Sequence, residues 1–379
     1  MSNTLNRNKF QDLTKDYLDN FYGVNRVEAG DFSKADTPIL STVAGYFNAI
    51  YGRSAFTQYN NQTVTLSMLP KKRWSKSGWR VRTARGFNFG DRGVAEGGAV
   101  GDAVRATVVE VSTSPKTMDL SIAPSRVYDL LNGDDKYEIV NAMEELQADH
   151  LKDINVSLLT ENSTAAGNNM ESIDRVCSSA GELAAFTAIS AGDIDMYGLD
   201  RDSAGVYDAY VDFNDDGSGG QTLRNLTIDM MRAAPTSIYE TSGMKPNIIV
   251  TGTDQYNNIV GLFQSETRYG NLPETRISAG VDGVFNTEGQ DVGLTVYSFD
   301  QIPIVTDADV VKESGGGSRI YFLNTETLFI SMLEPTRVTV VDQLLQTMTS
   351  YNQKINVHTI GELICTQFNA NGKIRDLNA

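Results

Sequence analysis

Between Asp134 and Glu161 the positions Ile139, Met143, Leu146, Ile154 and Leu158, with His150 among them, recur at steps of three and four. That spacing places them on one face of a helix. The stretch contains neither Gly nor Pro and follows Asn132-Gly133, where a helix can begin. Asp134 and Asp135 fall in the first turn, where the helix dipole favours negative charge. At 1.5 Å per residue such a helix runs roughly 40 Å, about the width of a domain. The pattern predicts an α+β chain built around this spine helix at 134–161, with an arm and a ribbon before it and a compact body after it.

Upstream, Leu5, Phe10, Leu13, Tyr17 and Phe21 have near-helical spacing, and a second apolar run, ILSTVAGYFNAIYG, follows. Neither forms a self-contained core, so residues 1–60 read as an arm packed on another surface. From Thr63 the period changes to two. VTLSML, KKRWSKSGWRVRTAR, the glycine-rich GFNFGDRGVAEGGAVGDA and VRATVVEVST predict antiparallel strands over 61–112 joined by a long tip. MDLSIAP adds a short strand before the spine helix.

After that helix a Ser/Gly/Asn-rich connector leads into an acidic, turn-rich region from Gly192 to Gly220. Leu223 to Ser242 predicts a helix interrupted near Pro235, NIIVTG a buried strand, and TDQYNNIVGLFQ a further helix. Two strand pairs follow on either side of a glycine linker, Ser314 to Ser318, and KINVHTIGELICTQFNANGKIRDL predicts a terminal hairpin.

Composition narrows the function classes. A chain of 379 residues, 40% hydrophobic and 21% charged, has room for two or three domains and a sizeable core. No apolar run approaches the ~20 residues of a membrane span, and MSNTLNRNKF lacks a signal-peptide core, so a cytoplasmic life without membrane contact is expected. Cys177 and Cys365 are read as reduced, buried thiols. His150 and His358 are the only histidines, and both fall in structural patterns. With no paired-carboxylate motif, no nucleophile elbow and neither GxGxxG nor GxxxxGK[ST], no catalytic constellation can be assembled, and an enzyme is not expected.

Charge adds two candidate sites. Lys71, Lys72, Arg73, Lys76, Arg80, Arg82, Arg85 and Arg92 crowd one half of the ribbon, with Trp74 and Trp79 between them. Cations interleaved with aromatics suit single-stranded nucleic acid, an acidic protein neighbour, or plain solvent. The chain's net charge of −16 favours the second reading, in which the ribbon lies on the next copy of an acidic protein. The other candidate is Asp212-Phe213-Asn214-Asp215-Asp216-Gly217, the first half of a calcium loop, in which Asp212, Asn214 and Asp216 would converge on the ion. Its twelfth position is Leu223 where a bidentate Glu belongs, so a solvated loop with Asx turns stands beside the Ca²⁺ reading, and no other cofactor is expected.

The order of these parts resembles the major capsid protein of tailed double-stranded DNA viruses, the Hong Kong 97-type fold. KKRWSKSGWRVRTARG with GVAEGGAVGDAVRATVVEVST is similar to that family's extended loop, and QIPIVTDADV with RIYFLNTETLFI to strands late in its apical domain. The resemblance implies an N-terminal arm at 1–60, an extended β-ribbon loop at 61–112, a peripheral domain at 113–191 and 339–379, and an apical domain at 192–338. It further implies self-assembly into hexamers and pentamers of an icosahedral shell, with the ribbon across a neighbour and double-stranded DNA enclosed without specific binding. The virion capsid, assembled in the host cytoplasm, is the implied location, and a portal and a decoration protein are implied partners. Some relatives fuse a scaffold ahead of the arm. Only residues 1–60 precede the ribbon here, so a separate scaffolding protein is expected. Some relatives also join a loop Lys to a neighbour's Asn covalently, for which Lys71, Lys72 or Lys76 and Asn352 or Asn356 have the chemistry. An encapsulin-like nanocompartment shell is the alternative within the fold, and an extracellular calcium-binding adhesin the alternative outside it.

Overall fold

The computed structural model describes residues 60–84, 94, 96–98, 105–122, 136–163, 167–202, 205, 207–266, 298–341 and 354–379. The expected arm helix, the apolar run after it, most of the ribbon tip with Arg85, and Asn352 lie outside them.

The described chain opens with a short helix, α1 (Val64–Met68), where period-two patterning predicts a strand. Tertiary contacts decide this local conformation. Asp307 Oδ2 accepts from both the Thr65 amide and hydroxyl, and Asn155 Oδ1 accepts from the Leu66 amide, so distant side chains satisfy first-turn N–H groups that a helix leaves open. Pro70 then prevents continuation. Next come β1 (Lys71–Arg73), the ribbon strands β2 (Gly78–Ala84) and β3 (Thr107–Ser112), and β4 (Lys116–Ile122).

The spine helix α2 (Lys136–Leu158) lies within the expected 134–161. Its stripe of His150, Ile154 and Leu158 is buried, while Glu144, Gln147, Asp153 and Val156 are exposed on the other side. Short helices follow in the connector: α3 (Ile173–Val176), α4 (Ala180–Ala185) and α5 (Ala191–Ile194). Ser172 and Ser179 cap the first two by accepting from the Arg175 and Glu182 amides.

The body then alternates β5 (Tyr210–Asp212), α6 (Ile228–Ser242), β6 (Ile248–Thr251), α7 (Thr253–Glu266), β7 (Ser298–Phe299), β8 (Ile302–Thr306) and β9 (Ile320–Leu323). Pro235 does not interrupt α6 as its sequence suggests. The helix carries it on a buried face with Met231, Ala234 and Ile238, and that packing offsets the missing N–H. Asp300 and Gln301, both with positive φ, make the tight turn between β7 and β8.

Two long strands, β10 (Leu328–Val341) and β11 (Lys354–Cys365), pair antiparallel, with register shifts around Glu334 beside Pro335. The last strand, β12 (Gly372–Ile374), overturns the expected terminal hairpin. It leaves β11 through a 3-10 turn at Phe368–Ala370 and crosses to another sheet, pairing β9 antiparallel and β5 parallel. Asn371 directs the crossing: its Oδ1 accepts from the Asn324 amide and its Nδ2 donates to the Gln367 carbonyl.

Three sheets result among the described residues, in the orders β1-β10-β11-β4, β5-β12-β9-β6-β8-β7, and β2-β3. The first packs one face on the spine helix, through Val357, Thr359 and their neighbours. One core joins that sheet to the spine helix and connector, around Leu158, Ile173, Leu328, Ile330 and Leu363. A second lies under α6 and α7, around Ile238, Ile249, Ile259 and Phe322. The Ser314–Ser318 stretch is no flexible linker. A Cβ on Gly316 would meet the Leu377 carbonyl at 2.6 Å, and one on Gly317 the Asn378 carbonyl at 2.6 Å, so these glycines admit the C-terminal residues against the loop.

Candidate assembly surfaces and the buried charge cluster

The basic segment divides into two environments that its sequence does not distinguish. Lys71, Lys72 and Arg73 are not ribbon residues. They form β1, parallel to β10 in register with Ile330, Ser331 and Met332. Burial lowers the Lys71 pKa, and Lys72 Nζ sits 3.7 Å above the Phe329 ring. The Trp74 amide extends the pairing by donating to the Met332 carbonyl at 2.7 Å. This part of the segment is therefore tied to its own subunit.

The ribbon proper begins at Gly78. Alternation places Trp79 and Val81, opposite Val111 and Val109, on one face, and Arg80 and Arg82, opposite Glu110 and Val108, on the other. The first face packs on the main core, with Trp79 edge-on to Tyr197 at 5.1 Å between centroids. Trp79, expected to anchor the ribbon on a neighbour, is half-buried and packs here on its own body, at the ribbon base. The second face is open. Arg80 pairs with Glu110 at 2.9 Å with both side chains about three-quarters exposed, and Arg82 and Val108 lie beside them. Arg73 and Lys76 are also exposed. Asn356 lies mid-strand in β11, opposite Ser121 and Thr339.

The acidic loop also has other partners than an ion. Asp212 pairs with Arg224 at 2.7 Å, and Asn214 Nδ2 donates to the Thr222 carbonyl. Asp216 Oδ1 accepts from the Ser218 and Gly220 amides, and those bonds lower its pKa. The side chains thus close the loop on itself, as Asx turns do. Among the described residues the carboxylates close enough together to share a cation are Asp195, Asp200 and Asp202, all on the surface or partly so.

The densest chemistry lies inside and joins parts distant in sequence. Arg319, at the entry to β9, is fully buried and donates to Asp174 Oδ2 at 2.7 Å, Glu313 Oε1 at 2.6 Å and Glu161 Oε1 at 2.6 Å. Lys373 on β12 reaches Asp174 Oδ1 at 3.1 Å and Glu182 Oε1 at 2.9 Å. Arg375 pairs with Glu182 and with Asp376, and Tyr321 donates its hydroxyl to Asp174 Oδ1. Burial alone would raise the Asp174 pKa, but Arg319 and then Lys373 hold its carboxyl well below the usual range. Arg201 is a second buried guanidinium. It donates to the carbonyls of Arg175, Val176, Ser178, Ile194 and Tyr207 and stacks 4.5 Å from the Phe368 ring.

Sequence reading missed this cluster, because Asp174 and Glu182 lie in what reads as a connector. The available signal was Lys373 and Arg375 flanking Ile374 in a strand-like run, and Arg319 set directly against Ile320-Tyr321-Phe322. Both histidines touch β11. His150 Nε2 lies 2.9 Å from the Thr359 hydroxyl, and His358 Nε2 lies 3.3 Å from Glu334 on the opposite face. Cys177 and Cys365 are buried and unbridged, the latter with its pKa pushed up to about 12 by burial. No helix among the described residues is long and apolar enough to cross a membrane.

No family model matches the chain, and no curated protein matches it. Solved structures do. The capsid asymmetric unit of cyanophage A-1(L) superposes with a TM-score of 0.62 at 15% identity, over 86% of this chain and 96% of that one. The capsid of a native GTA particle superposes with a TM-score of 0.54 at 9% identity, over 91% of this chain and all of that one. At such identities the likeness establishes the fold, which is the Hong Kong 97-like α+β fold of phage capsid subunits.

Proposed function

We propose that this chain is a major capsid protein, which self-assembles into hexamers and pentamers of an icosahedral shell around the double-stranded DNA of a tailed virus. One observation carries the reading: the likeness to a phage capsid subunit extends over 86% of this chain and 96% of the other, so the whole architecture is shared and not one module of it. Its work is assembly and not catalysis.

The geometry supplies the means. The inner ribbon face is fixed to its own core, so the outer face with Arg80, Arg82 and Val108 is presented in a set direction. Acidic side chains line the exposed side of the spine helix, at Glu144 and Asp153. A cationic ribbon and an acidic helix on each copy are complementary between copies. The net charge of −16 repels DNA in bulk, which suits a container whose content must move. A separate scaffolding protein, a portal and a decoration protein complete the proposed partners, and the virion is the proposed location.

The test is electron microscopy of the purified protein alone and with a co-expressed scaffold partner. Closed shells or rings of five and six subunits are expected. A subunit that stays monomeric at every concentration, with and without that partner, sinks the reading. Shells that close alone and fill with a cellular protein would turn it into a compartment of the encapsulin kind.

A further inference from the structure

Glu362 is fully buried in β11, and the mechanism above makes no use of it. Its two oxygens are in unlike settings. Oε1 accepts from the Glu171 amide at 2.8 Å and from its neighbour Leu363 at 2.9 Å. Oε2 is equally buried and has no hydrogen-bond partner among the described residues. A buried anionic oxygen without a donor costs far more than a buried hydroxyl lacking one acceptor, so the setting favours the neutral acid with its proton on Oε2.

The surrounding charges do not reverse this. Glu171, from the connector, faces Glu362 as a second carboxylate, itself paired with Arg175 at 3.0 Å. From β4, Lys116 faces it as an opposing cation, and its Nζ is engaged by the Gly167 carbonyl at 3.2 Å. Tyr197, on the neighbouring loop, directs its hydroxyl to the Leu363 carbonyl, and Cys365 is buried beside it. Burial, followed by the Glu171 charge, outweighs the two amides and Lys116, and lifts the carboxyl to about 8.

We propose that Glu362 is a proton-held latch: as the neutral acid it fastens residues 167–172 to β11, and loss of its proton in alkaline solution loosens that fastening. The segment also reaches the end of the spine helix, where the Ser157 hydroxyl donates to the Met170 carbonyl. Release at Glu362 therefore loosens one polar link between the sheet and the C-terminal end of the helix, beside the core that Leu158 shares with Leu363. The latch is a property of the folded subunit and stands apart from the assembly reading.

The sign follows from linkage. Between the ordinary glutamate value of 4.5 and about 8 the closed state holds a proton that the open state releases, so opening grows more favourable as pH rises and levels off above 8. Hydrogen exchange of the 167–172 segment in the full-length subunit, corrected for intrinsic rates, should show opening increase by up to about tenfold per pH unit from pH 6 to 8. Glu362→Gln should keep the Oε1 bonds and flatten that dependence. If that variant does not fold, infrared spectra of the wild type decide, through a protonated carboxyl band present at pH 7 and lost above pH 9. Equal pH dependence in wild type and variant, or absence of that band at pH 7, overturns the proposal.

Discussion

Asp174 is held by Arg319, Lys373 and Tyr321 at once, so removing its charge takes one carboxylate partner from each of two buried cations, which keep Glu313 and Glu182. Asp174→Asn is expected to cost ~3–5 kcal/mol, measured by urea denaturation, as for other buried pairs that lose one member. The same carboxyl sets an acid limit. Its folded pKa lies below the ordinary aspartate value of 3.8, so its contribution is present above that value and is lost as pH falls from there through the folded pKa. His150 acts earlier on the acid side. Burial is the main cause of its lowered pKa, opposed by Asp153 and Asp119. Below about pH 6.5 the unfolded chain takes a proton that the folded chain refuses, and stability falls. His150→Gln, which keeps a hydrogen bond within reach of Thr359, should reduce the loss of thermal stability between pH 7 and 5.

Among the elements, those that declare a period are the ones the sequence reveals. The spine helix, α6, α7 and the ribbon strands are legible from spacing, because each buries one face, and β6 from an unbroken apolar run, because both its faces are buried. The failures share a cause, which is a partner far away in sequence. Val64–Met68 reads as a strand but is a helix because Asp307 and Asn155 hold its amides. Lys71–Arg73 reads as ribbon but joins β10. The basic face of the ribbon was legible, whereas the inward turn of Trp79 was not, since both tryptophans sit among cations and only Tyr197 distinguishes them. Trp79→Ala should destabilise the subunit by about 2 kcal/mol, less than a fully buried Trp would, and should expose the ribbon to limited proteolysis. Gly317→Ala, which drives a Cβ into Gln255 and the Asn378 carbonyl, should cost about 1–3 kcal/mol in the same denaturation assay.

For the whole molecule, the ribbon offers a separation between folding and assembly. Deleting residues 85–106 leaves β1, both core clusters and Trp79 in place, so a folded subunit is expected that makes no closed shells by electron microscopy. Reversing the charge at Arg73, Lys76 and Arg82 together should slow assembly, and raising salt should slow the wild type towards that rate. A last consequence comes from β12, which lies between β5 and β9 in the six-stranded sheet although it follows every other strand in the chain. Synthesis proceeds from the N-terminus at ~5–20 residues per second, and a nascent chain that has not yet emerged through Arg375 holds Asp174 and Glu182 without Lys373 or Arg375. Such a chain has an open sheet and a Glu182 without Lys373 and Arg375, while Asp174 keeps Arg319. Neighbouring ribosomes on one message therefore display chains that cannot yet settle, and under the proposed assembly such chains are kept from joining one another until β12 has closed the sheet.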